Sequence, residues 1–184
     1  MTSDDKKCCF IGHRTIKITD ALTEKLKRII EGLIVEEGVR CFLFGGRSEF
    51  DDLCHGIVTE YQTKYSNVYR IAYTCRSEYA MKNDEALRLS IKAKCFEGEI
   101  KSDRLLGSGS AAYVVRNREM IDASFFCVFY YDESYMPPKR KRSTRDQSTY
   151  QPKSGTRLAY EYAISKSKGD KKRVINTFRR CDLL

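Results

Sequence analysis

Short apolar runs alternate with longer stretches whose apolar residues recur at helical spacing, and this alternation leaves the chain few ways to fold. Lys7–Ile11 (KCCFI) reads as a buried strand broken by Gly12-His13-Arg14. From Thr19 to Glu37, Leu22, Leu26, Ile29, Ile30 and Leu33 fall on one helical face; Thr19 or Asp20 can cap the start and Gly38 ends it. Arg40–Phe44 (RCFLF) is the next strand, closed by Gly45-Gly46, and Phe50–Lys64 the next helix. Val68–Tyr73 is a third strand. Glu78–Ile91 has helical composition, Ala93–Phe96 reads as a short fourth strand, and Glu97–Ser110 as a polar, glycine-rich loop. Ala111–Asp122 is a helix. Ser124–Tyr131 (SFFCVFYY) is the most apolar strand, expected at the centre of the sheet. A helix from about Thr156 to Lys168 and a strand at Lys172–Asn176 close the pattern. Strands alternating with helices predict an α/β fold: a Rossmann-like three-layer sandwich with a mainly parallel sheet of five to six strands. The 184 residues fit one such domain, spanning 1–184, with 137–153 as a basic, flexible loop.

Composition narrows the function classes. Apolar residues make up 41%, enough for a real core, and no run approaches a membrane span. The polar start MTSDDKK precedes no apolar signal segment, which assigns the chain to the cytoplasm, with no membrane partner expected. The eight cysteines are scattered without a CxxC and read as reduced, partly buried small hydrophobes. Only His13 and His55 supply imidazole, neither at a metal-ligand spacing from a cysteine, so no metal is expected. Of the net charge of +9, five units sit in the loop: Lys139, Arg140, Lys141, Arg142, Arg145 and Lys153 against Asp146 alone. Whole-chain charge is therefore weak evidence for nucleic acid.

Three glycine-bearing turns carry the functional reading. The first is Gly12-His13-Arg14, the second Gly45-Gly46-Arg47-Ser48 leading to Asp51, and the third Ser154-Gly155-Thr156. Glycine admits close approach to a phosphate, and a helix N-terminus offers N–H groups and a positive dipole end. Each alone is more often an ordinary turn; together they predict a phosphate-binding site at the carboxyl ends of the strands. On the helix before the fifth strand, Arg116 and Met120 share a side, with Asn117 beside them; a solvated Arg116 and a core Met120 is the plainer reading.

The blocks CCFIGHR, FLFGGRSEFDDL, RNREMIDASFFCVFYYD and SGTRLAYEYA resemble, in order and spacing from residue 8 to 176, the SLOG superfamily. That group includes YpsA-like proteins, Lonely Guy (LOG) phosphoribohydrolases and DprA/Smf proteins, and the opening GHR is most similar to the YpsA-like branch. The resemblance implies a Rossmann-like fold binding nucleotides or nucleotide derivatives. It also implies a LOG-like Arg–Met pair at Arg116 and Met120, with Gly155-Thr156 standing for the GT of PGGxGTxxE. The Glu of that motif falls on Ala159; the nearest carboxylate, Glu161, is displaced by roughly 200° around the helix.

Three functions follow as expectations. The first is binding or sensing of a nucleotide or nucleotide-derived ligand, held by the three turns with Arg14, Arg47 and Arg116, and with Tyr130 or Tyr131 against a base. The second is a nucleoside-monophosphate N-glycosidase using Arg116 and Glu161, or a carboxylate from Asp51, Asp122 or Glu119. The third is nucleic-acid binding through 139–145. The loop is either a surface insertion or a basic lid over the site. No cofactor is implied, and a homo-oligomer is left open.

Overall fold

A computed structural model describes residues 6–45, 48–75, 96–102, 110–136, 153–169 and 172–178. The element order is β1 (Lys7–Gly12), α1 (Asp20–Val35), β2 (Cys41–Phe44), α2 (Glu49–Gln62), β3 (Tyr69–Cys75), β4 (Gly98–Ser102), α3 (Ser110–Asp122), β5 (Phe126–Tyr130), α4 (Gly155–Ser167) and β6 (Arg173–Asn176). Among the described residues six strands form one sheet in the order β4-β3-β2-β1-β5-β6, and every pairing is parallel. The α/β, Rossmann-like expectation therefore holds at six strands.

Alternation along β1, β2 and β5 builds both sides of the sheet. Cys8, Phe10, Phe42, Phe44, Phe126, Val128 and Tyr130 point to one core, where Leu22, Leu26 and Ile30 of α1 and Phe50, Cys54 and Val58 of α2 cover them. Cys9, Ile11, Leu43, Cys127 and Phe129 point to the other, under Met120 and Ile121 of α3 and Ala159 and Ala163 of α4. Strands covered on both faces read as continuous apolar runs, which is why these were recognisable. Thr19 caps α1 by accepting from the Leu22 N–H at 3.2 Å, and Gly38 turns the chain after it at φ +70°.

Two expectations need correcting. The fourth strand is not Ala93–Phe96 but Gly98–Ser102, inside the segment read as a loop; Phe96 lies outside any strand, and 93–95 lie outside the described residues. β4 is an edge strand of polar sequence (GEIKS), so it lacks the apolar run that marks a buried strand. Polar contacts help fix it: Arg70 of β3 pairs with Glu97, and Thr74 donates to Glu99 at 2.7 Å. β5 is fully buried but lies one strand from the edge; β2 and β1 are the central pair. The helix expected at Glu78–Ile91 and nearly all of the basic loop lie outside the described residues.

Candidate functional site

From β1 the chain steps outward through β2 and β3 to β4, and β5 then lies on the other side of β1. That reversal opens a crevice at the carboxyl end of β1. A cleft of about 700 Å³ occupies it, lined by Gly12, His13, Arg14, Gly45, Ser48, Asp51, Arg116, Asn117, Ser154, Gly155 and Thr156 of the expected site. Thus the three turns, far apart in sequence, face one space. Gly46 and Arg47 lie outside the described residues.

The end of α4 suits an anion. Ser154 caps it by accepting from the Arg157 N–H at 3.1 Å, and Thr156 Oγ1 donates to the Gly12 carbonyl at 2.9 Å, tying the first turn to β1. The N–H groups of the first helical residues have no intrahelical acceptor, and no acidic residue stands among them. Lys153 adds a cation at the rim.

The start of α2 differs. Ser48 caps it through the Asp51 N–H at 3.0 Å, but Glu49, Asp51 and Asp52 crowd its first turn. Glu49 is already used: its N–H donates to the Arg14 carbonyl at 2.9 Å, and its carboxylate accepts from the Ile16 N–H at 2.8 Å. Asp51 is buried and lines the cleft. Burial, with the Asp51 charge as a second cause, pushes the Cys54 thiol well up.

Arg116 is 6% exposed, so it is not the solvated arginine of the plainer reading. It crosses from α3 to β2, donating to the Gly45 carbonyl at 2.8 Å, with the Tyr113 ring 5.2 Å away. A Cβ on Gly45 would sit 2.8 Å from its Nη2, so residue 45 must be bare for the guanidinium to rest there. Met120 is fully buried in the second core. The Arg–Met pair therefore divides between cleft and core.

His13 is 2% exposed. Its Nε2 accepts from the Asp132 N–H at 3.1 Å, and the Tyr135 ring stacks on it with centroids 4.1 Å apart. Burial holds its pKa below the usual imidazole value, opposed by the Asp132 backbone contact and charge. Its Nδ1 is buried without a hydrogen-bond partner. His55 packs away from the cleft, against Phe44 and Phe96.

The other expected participants are elsewhere. Glu161 is exposed on α4, paired with Lys153 at 2.7 Å and Arg157 at 3.0 Å, which hold its pKa down; it does not line the cleft. Asp122 accepts from Tyr162 at 2.9 Å and pairs with Lys166. Among the described residues, Asp51 is the carboxylate that lines the cleft. Tyr130 is buried against Phe50 and Phe178, and Tyr131 stacks on Tyr160 at 4.6 Å, so neither reaches a base there. Tyr113 and Tyr135 are the tyrosines that line it. Tyr113 carried a signal, lying three residues before Arg116 on one helical face. Tyr135 stood only in a polar stretch after β5, where nothing in the sequence pointed to the cleft.

No protein-family model and no curated protein sequence matches the chain. Solved structures do. DNA processing protein A (DprA) from Streptococcus pneumoniae superposes with a TM-score of 0.55 at 13% identity, over 92% of this chain and 49% of its own. The same protein from Helicobacter pylori, described for its single-stranded DNA binding mode, gives 0.51 at 14% identity, over 89% of this chain and 62% of its own. The chain shares its fold with DNA processing protein A. It spans about half the length of the first of these and less than two thirds of the second. At this identity the likeness establishes the fold alone.

Among the described residues no helix is long and apolar enough to cross a membrane, and no group of three or more His, Cys, Asp or Glu side chains is placed to hold a metal ion. Cys8, Cys9, Cys41, Cys54 and Cys127 are buried free thiols, and burial raises the pKa of Cys8, Cys9 and Cys54 well above the ordinary thiol value.

Proposed function

We propose that the chain binds a phosphate-bearing nucleotide or nucleotide derivative in the cleft at the end of β1. The observation that carries the reading is the acid-free first turn of α4, open to the cleft beside Lys153 and tied to β1 through Thr156 and Gly12. A phosphate there meets backbone N–H groups and a positive dipole end. Tyr113 and Tyr135 supply rings on which a base can stack, and Asp51 supplies an acceptor for sugar hydroxyls or base amines. The YpsA-like likeness of the GHR turn points the same way.

Calorimetry against a panel of nucleotides tests this, with Gly155→Asp as the decisive variant. A Cβ at Gly155 meets nothing within 4 Å, so the substitution fits sterically while placing a negative charge in the anion subsite. Binding to the intact protein and its loss in the variant is the expected result; a folded protein indifferent to every phosphate ligand ends the reading.

A second reading, single-stranded nucleic acid in the same cleft, is favoured by the fold shared with a single-stranded DNA binder and by the basic segment that ends at Lys153 on the rim. It predicts an affinity for oligonucleotides that falls steeply with salt. Nucleotide binding with a flat salt dependence and no oligonucleotide shift favours the first.

A further inference from the structure

The imidazole of His13 raises a question that packing alone does not answer. It is 2% exposed, it lines the cleft, and one of its ring nitrogens has no partner. Leaving a buried donor without an acceptor costs about 1–3 kcal/mol, so such an atom calls for an explanation.

The other nitrogen settles which proton the ring carries. Nε2 accepts from the Asp132 N–H at 3.1 Å, so it holds no hydrogen. A neutral imidazole has one donor and one acceptor nitrogen. The proton is therefore on Nδ1, and the partnerless atom is a donor. The turn that fixes this is itself well tied: the Ser134 N–H and hydroxyl both donate to Asp132 Oδ1, at 2.8 and 2.6 Å, and the Tyr135 N–H donates to the Asp132 carbonyl at 3.2 Å. The same turn lays the Tyr135 ring over the imidazole. Burial favours the neutral ring, against the nearby Asp132, which favours its protonated form. Tyr130, Tyr131 and Tyr135 pack around it, and the Asp132 backbone meets its acceptor face; Asp51, Arg116 and Lys153 line the cleft beyond.

We propose that His13 selects the ligand of this cleft as a neutral donor, its Nδ1–H hydrogen-bonding a phosphate oxygen seated at the first turn of α4, with Tyr135 covering the contact. His13 directly follows Gly12, whose carbonyl is held by Thr156 of that turn, so donor and anion subsite are neighbours. The inference rests on the phosphate-binding reading of the cleft. It goes beyond it in naming the residue, the tautomer and the atom that discriminate the ligand. His13 contributes as an aimed hydrogen bond and not as a charge, whereas a cationic imidazole would attract any anion.

Two isosteric variants separate donor from scaffold. The side-chain nitrogen of Asn stands where Nδ1 stands, and the side-chain oxygen of Gln stands where Nε2 stands. His13→Asn keeps a donor toward the cleft and loses the Asp132 contact; His13→Gln keeps the Asp132 contact and loses the donor. With ADP as the probe and inorganic pyrophosphate as the base-free control, calorimetry on the full chain is expected to show His13→Gln binding both about ten- to a hundredfold more weakly. His13→Asn is expected to bind within about threefold of the unmodified chain while melting at a lower temperature. A purely structural histidine gives the opposite ranking, because affinity then follows stability. The imidazole ¹⁵N shifts of the free protein give an independent readout: a proton on Nδ1 is expected, and a proton on Nε2 overturns the proposal. Equal binding by both variants overturns this inference and leaves the cleft reading intact. No binding of either probe by the unmodified chain overturns both.

Discussion

Two helix starts face the same cleft, and they are built for opposite tasks. Both α2 and α4 follow a parallel strand, both begin with a serine that caps the third N–H, and both expose a first turn to the space at the end of β1. The start of α2 is packed and acidic. Phe50 presses so closely on Gly12 that any Cβ there would overlap it, Glu49 is bonded through both its N–H and its carboxylate to the loop before α1, and Asp51 brings a buried carboxylate. The start of α4 has no acid, and open space lies over Gly155. A glycine after a strand is thus two different things. At Gly12 it lets a helix approach the sheet; at Gly155 it leaves room for something that is not protein.

The contrast is broken most severely by making α4 resemble α2. Gly155→Asp is expected to lower phosphate-ligand affinity by about two orders of magnitude, from a like charge a few ångströms from the ligand. The melting temperature should hold or rise, since an acid in a first turn stabilises a helix by about 0.3–1 kcal/mol. Calorimetry and a thermal melt read the two signs together. Gly12→Ala does the reverse: overpacking against Phe50 is expected to cost about 1–3 kcal/mol in denaturant unfolding. Ser48→Ala and Ser154→Ala sharpen the comparison where no difference should exist, each removing one cap worth about 1 kcal/mol.

The smallest effect is in pH. The His13 pKa is lowered in the folded chain, so below the usual imidazole value near 6.5 the unfolded chain takes up protons that the folded one resists. Its contribution to stability is fully present above that value and fades as pH falls toward the folded pKa. His13→Gln should flatten that part of the stability–pH curve in urea titrations at successive pH values.

Much of the fold was readable because β1, β2 and β5 are buried on both faces and α1 carries an unbroken apolar stripe. β4 escaped because an edge strand needs neither feature. Of the site, the sequence marked the backbone turns but misassigned the aromatic rings. Tyr130 lies within β5, where strand geometry sends it to the core, whereas Tyr135 reaches the cleft only because the Asp132 turn folds back over His13. Glu161 failed as a cleft carboxylate for a reason visible in helical geometry: two residues along α4 from the motif position, it faces Lys153 and Arg157 on the exposed side.

Local patterning by itself determined five of the six described strands, the four described helices, their parallel arrangement and the three turns, because burial periodicity and chain stiffness act over a few residues. The acids at the start of α2 are plain in the sequence, but tertiary structure alone decided which turn is closed by packing, which is open to an anion, and that one nitrogen of His13 has no partner. Those properties depend on residues up to 144 positions apart, such as Gly12 and Thr156, meeting where the sheet reverses direction.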